Sequence, residues 1–200
     1  MANKAYLRQQ LGLYLKHFRI NSYDHSLRTQ SDLGAALGIT QKQVSLIECG
    51  LSEPSVQLAA EWSKKTGWFE GCDLVTYLYG LDPLELVPVD PQLNQSVSEA
   101  LHNLRRQLRQ ALEAVEQFVD DEPEVALAIR RGGYTVDPLT KFNEKQIADL
   151  IPAVRTFFYA AERQNRTDLQ EICSMWNVEA LAEQVAMPKI DQLDKVLVAR

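Results

Sequence analysis

The chain has 200 residues, 46% of them hydrophobic and 24% charged, which is material for one ordinary domain or two small ones and too apolar for a disordered chain. Its 21 Lys and Arg against 27 Asp and Glu leave a net charge of −6, which over the whole chain argues against a general affinity for nucleic acid or anionic membrane. No run approaches the roughly 18 consecutive apolar residues of a spanning helix, and MANKAYLRQQ lacks the plan of a signal peptide, so a cytoplasmic protein with no membrane contact is expected.

Cys49, Cys72 and Cys173 are odd in number, widely spaced and without a CxxC pair, so they read as reduced thiols. His17, His25 and His102 have no ligand spacing, and Asp120, Asp121, Glu122 and Glu124 lack EF-hand order. No metal, no cofactor and no catalytic constellation is expected, and the chain does not read as an enzyme.

In chain order, Leu7, Leu11, Leu15 and Phe18 predict an amphipathic helix over Tyr6–Arg19. Two capping signatures follow: Thr29 with Asp32 opens one short helix and Thr40 with Gln43 another. Between them Gly38 stands where a tight turn needs a positive φ, which glycine adopts without strain. Leu33, Leu37, Ile39, Val44 and Ile47 supply the contacts between the two helices and the first one, a helix-turn-helix by spacing. Gly50 ends the second short helix, Pro54-Ser55 starts a helix carrying Val56, Leu58, Ala59 and Trp62 inward to Gly67, and Asp73–Tyr79 forms a last short helix.

These residues, Thr29-Gln30-x-x-Leu33-x-x-x-x-Gly38-Ile39-Thr40-x-x-x-Val44-Ser45-x-x-Glu48-x-Gly50-x-x-x-Pro54-Ser55, resemble the Cro and phage-repressor type (XRE-like) helix-turn-helix family over roughly the first 70 residues. Gly34 departs from the family, which usually carries alanine at the helix crossing. The resemblance implies a five-helix, lambda-repressor-like DNA-binding domain whose second motif helix, Thr40–Cys49, enters the major groove. Gln41, Lys42, Ser45 and Leu46 then face base edges, with Gln41 suited to adenine, Lys42 to guanine acceptors and Leu46 to a thymine methyl. Gln30, Gln43 and Arg28 are expected at phosphates, with further attraction from Lys16 or Arg19, and Glu48 is expected to hold the turn that follows. Trp62 and Trp68 read as core.

Pro83, Pro88 and Pro91 mark residues 81–95 as a linker between a domain at 1–80 and a helical dimerisation and regulatory domain at 96–200, in an all-α chain. The charge divides there too: residues 1–80 carry net +1, and the remaining 120 carry net −7. Ser96 with Glu99 caps a helix running to about Val119, along which Val97, Leu101, Leu104, Leu108, Ala111, Val115 and Phe118 keep a heptad alternation. That stripe fits a dimer seam, the inward face of a bundle helix, or both. Further helices are expected at about 124–131, 143–164 (broken at Pro152), 168–176, 178–185 and 189–198, and Arg130-Arg131-Gly132-Gly133-Tyr134 reads as a turn. Phe157, Phe158, Tyr159 and Trp176 read as core, with the lining of a ligand pocket as the alternative.

The expected function is a sequence-specific transcriptional regulator, a repressor, binding a double-stranded inverted-repeat operator as a homodimer. A small ligand, a peptide or a protein antagonist at the C-terminal domain is the candidate effector. The alternative is an antitoxin or anti-regulator working through protein contacts of that domain.

Overall fold

The computed structural model describes residues 6–94, 96–133, 135–183 and 185–187, and among them every regular element is helical. The helices are α1 (Leu11–Ile20), α2 (Gln30–Leu37), α3 (Gln41–Glu48), α4 (Val56–Lys65), α5 (Glu70–Leu78), α6 (Val97–Arg130), α7 (Pro138–Ala148), α8 (Leu150–Arg163) and α9 (Leu169–Ala182). Contacts divide the chain into two compact units, Met1–Ala160 and Ala161–Arg200, with the boundary inside α8. Among the described residues no helix is long and apolar enough to cross a membrane.

Local chemistry sets the starts of α2, α3 and α4. Thr29, Thr40 and Ser55 each accept a hydrogen bond from the backbone N–H three residues on, satisfying donors that a helix start leaves orphaned. At Thr40 the cap is reciprocal, because the Gln43 side chain accepts from the Thr40 N–H at 2.8 Å. Gly38 ends α2 at φ +69°, where a Cβ would be strained. One core gathers Leu11, Leu15, Phe18, Leu33, Val44, Ile47, Ala59, Trp62, Leu74, Val75 and Leu78, and Trp68 stacks on Phe18 with centroids 5.3 Å apart.

Several expected boundaries shift. The chain enters α1 through a 3-10 turn at Arg8–Gln10 rather than as one helix from Tyr6. α5 starts at Glu70, ahead of the expected Asp73. α6 does not stop at Val119: it runs unbroken through Pro123 to Arg130, at the cost of the one backbone hydrogen bond proline cannot donate. α7 starts at Pro138, because Asp137 caps it by accepting from the Thr140 N–H at 2.8 Å and proline suits a first turn. The break anticipated near Pro152 falls at Asp149, with Pro152 inside the first turn of α8. Within the second unit, Leu169–Ala182 is one helix rather than two, its start capped by Asp168. The helix expected at 189–198 lies outside the described residues. Gly132, at φ +71°, turns the chain after α6, and Tyr134 also lies outside the described residues.

Of the expected heptad stripe, Val97 and Ala111 are buried and Leu104 and Phe118 half-buried, whereas Leu101, Leu108 and Val115 are exposed. The buried residues of α6 are Val97, Ala100, Ala111 and Ala114; α7 packs on α6, with Ala114 beside Phe142, Asn143 and Gln146. Small alanines there let α7 approach closely.

Tyr159 of α8 donates to both oxygens of Asp73 on α5, at 3.2 and 3.1 Å, and stacks on Phe69 at 5.7 Å. Arg155 lies 3.3 Å from the same carboxylate.

Candidate nucleic-acid interface

α3 is amphipathic in the simplest way. Val44 and Ile47 are buried against the core, Gln41 and Lys42 in the first turn are exposed, and Ser45 and Leu46 are half-buried. The turn at Gly38 is tight enough that the Ile39 N–H returns to the Gly34 carbonyl at 2.9 Å. A Cβ at Gly34 would stand 2.9 Å from the Ile39 oxygen, so the residue that departs from the resembled pattern has a steric reason here. Gly12 does the same for the α1–α3 crossing, where an added Cβ would meet the Ile47 carbonyl oxygen at 2.1 Å.

The inner edge of this surface is held by a buried ionic cluster. Arg19 reaches Glu48 through two nitrogens, Nε to Oε1 at 2.5 Å and Nη2 to Oε2 at 2.8 Å, while its remaining Nη donates to the Arg28 carbonyl. Gln30 Nε2 donates to the same Glu48 Oε2 at 2.8 Å. The guanidinium, its partner carboxylate and the amide therefore tie α1, α2 and α3 into one body.

This cluster changes the parts assigned to several side chains. Arg19 is only 8% exposed and committed to Glu48, so it is no source of surface attraction for phosphates, because leaving Glu48 would strand a buried carboxylate. Gln30 is half-buried with its amide nitrogen on Glu48. Arg28 is exposed, but Nε and Nη2 donate to the Ser22 carbonyl at 3.1 and 3.0 Å. Gln43 is exposed and uses its amide oxygen in the Thr40 cap, leaving its NH2 group outside that bond. Lys16 is exposed. The Arg19–Gln30 connection to Glu48 was not visible in the sequence, where no periodicity links residues 29 positions apart.

Near the start of α2, the Ser26 hydroxyl and N–H both donate to Asp24 and hold its carboxyl below the usual carboxylate range. Trp62 is fully buried and Trp68 is packed by Phe18, His17 and Tyr23, so neither presents a ring for base stacking. Among the described residues no group of three or more His, Cys, Asp or Glu side chains could hold a metal ion.

Gln41 and Lys42 thus sit together on an exposed first turn whose opposite face is locked, and Ser45 and Leu46 extend the same surface by one turn. No protein-family model, no curated protein and no solved structure matches the chain.

Proposed function

We propose that the chain is a sequence-specific DNA-binding transcriptional regulator, a repressor of the XRE-like helix-turn-helix type, acting as a homodimer on an inverted-repeat operator. The observation that carries this reading is the division of α3: Gln41 and Lys42 exposed in the first turn, Val44 and Ile47 buried behind them. A helix of about 10 Å diameter fits the major groove, where Gln reads adenine and Lys the guanine acceptors. Ser45 and Leu46 are the further base-edge residues, and Gln43, with its NH2 group outside the cap, lies toward the phosphates in this reading, whereas Gln30 and Arg28 can add to it only with the N–H groups that Glu48 and the Ser22 carbonyl leave over. The near-neutral charge of residues 1–80 leaves that region free of the repulsion that the acidic remainder exerts on DNA.

A gel-shift with the DNA upstream of the protein's own gene tests the reading. Gln41→Ala/Lys42→Ala must abolish sequence-specific binding while the protein keeps its helical signal, and an unchanged shift would sink the assignment. Wild-type affinity should fall steeply with salt.

A second reading, an antitoxin or anti-regulator, is favoured by α9. There Met175, Trp176, Val178 and Leu181 are all more than half exposed, an apolar load that suits a protein partner. Purification from the native cell that returns a stoichiometric protein and no enriched DNA would favour it over the first.

A further inference from the structure

The packing of α7 leaves a second apolar stripe on α6. Leu101, Leu108, Leu112, Val115 and Val119 are between 42% and 67% exposed, and they recur at three- and four-residue spacing along one side of the helix. Arg105 and Glu122 occupy the same stripe, both exposed, and Arg109 and Glu116 border it on the side away from α7.

We propose that α6 pairs antiparallel with α6 of a second copy of the chain, about a two-fold axis passing between Glu113 and Ala114. The proposal rests on the homodimer reading and adds its orientation and register. Three observations select it.

The first is charge. A parallel pair stacks identical residues, placing Arg105 on Arg105 and Glu122 on Glu122 of the other copy within the seam. Turning one helix around sets Arg105 opposite the other copy's Glu122, and brings Arg109 beside its Glu116. Each of these contacts occurs twice by symmetry.

The second is the apolar layers. The same register places Leu108 against Val119, Leu112 against Val115, and Leu101 against Ala126 of the other copy, which is half-buried and leaves room for the leucine. Shifting by one heptad puts Arg105 against Val115 and removes both ionic contacts.

The third is length. The axis between residues 113 and 114 is the midpoint of Val97–Arg130, so all of α6, about 51 Å at 1.5 Å per residue, overlaps its partner end to end. Both orientations of the seam are two-fold symmetric, so an inverted-repeat operator is compatible with either, and the proposal can fail while the DNA reading stands.

The test uses the full chain. In a background of Cys49→Ser, Cys72→Ala and Cys173→Ser, Leu101→Cys and Ala126→Cys are made singly, oxidised alone, then mixed and oxidised. The expected result is covalent dimer from the mixture and little from Leu101→Cys alone, whose two copies lie about 37 Å apart along the seam. Efficient self-crosslinking of Leu101→Cys overturns the antiparallel register and leaves the homodimer intact. A monomer by light scattering at micromolar concentration overturns both. A charge exchange provides the independent arm: Arg105→Glu and Glu122→Arg should each weaken dimerisation roughly tenfold or more, and the double variant should recover most of the loss. A double variant weaker than either single one overturns the pairing.

Discussion

Arg19 of α1 and Glu48, the last residue of α3, form a two-point ion pair with both side chains almost wholly removed from solvent, 9% and 1% exposed. Each partner is further hydrogen-bonded, Arg19 to the Arg28 carbonyl and Glu48 to the Gln30 amide, so few charged atoms in the cluster are left without a partner. The pair joins α1 to the last residue of α3.

Removing one partner leaves the other charge stranded. Glu48→Ala should destabilise the N-terminal helices by about 3–5 kcal/mol, read by urea denaturation, and Arg19→Met/Glu48→Leu together should cost much less than Glu48→Ala alone. A loss within 0.5 kcal/mol for Glu48→Ala, about that of an ordinary surface change, would show that the cluster does not hold α3.

Gly12 makes a second prediction about the same crossing. Because an added methyl would fall 2.1 Å from the Ile47 carbonyl oxygen, α1 and α3 must separate to admit it. Gly12→Ala should therefore cost about 1–3 kcal/mol despite the better helix propensity of alanine. Gly34→Ala meets the Ile39 oxygen at 2.9 Å and should cost less, so the order of the two midpoints in a denaturant titration checks the geometry.

What the sequence made legible was local. Thr29, Thr40, Ser55 and Ser96 announce helix starts because each cap is completed within three residues, and Gly38 announces its turn by the φ it alone tolerates cheaply. The end of α6 was not legible in that way: the stop expected near Val119 falls inside a helix that continues through Pro123, and Val125, Ala126 and Ala128 of the following turn are half-buried. Contacts between distant side chains carry no period at all. The resembled sequence pattern suggests for Glu48 a role in the turn after α3, and nothing in the sequence joins Glu48 to Arg19 or Asp73 to Tyr159, 86 residues away.

Asp73 gives a pH signature. Burial raises its carboxyl above the ordinary value, and Arg155 and the Tyr159 hydroxyl only partly offset that. Burial, followed by the charge of Asp73, also keeps the Tyr159 hydroxyl protonated far above its ordinary range, so it remains the donor. A group whose folded value lies above its unfolded one contributes stability that is present below the unfolded value, near 3.8, and is lost as pH rises through the folded value. The stability of wild type relative to Asp73→Asn should accordingly grow as pH falls from neutral toward 4, in urea titrations at several pH values. A difference that shrinks instead would mean that the Arg155 contact outweighs burial.

The thiols supply the last prediction. Cys49 and Cys173 are exposed, whereas Cys72 on α5 is largely covered, with its Sγ donating to the Ala60 carbonyl of α4 at 3.6 Å. Burial pushes the Cys72 thiol up to about 11. Only the thiolate attacks a disulfide reagent, and at about pH 8 a thiol with that value is ionised in roughly one molecule in a thousand. Titration with a chromogenic disulfide should show two thiols reacting promptly and the third lagging by about two orders of magnitude or more, until denaturant releases it. Cys72→Ala must remove the slow phase alone. Because the slow thiol is gated by the α4–α5 packing, its rate in Gly12→Ala or Glu48→Ala should rise only if those changes loosen the whole N-terminal core. A rate unchanged beside a lowered denaturation midpoint would place the damage at the α1–α3 crossing.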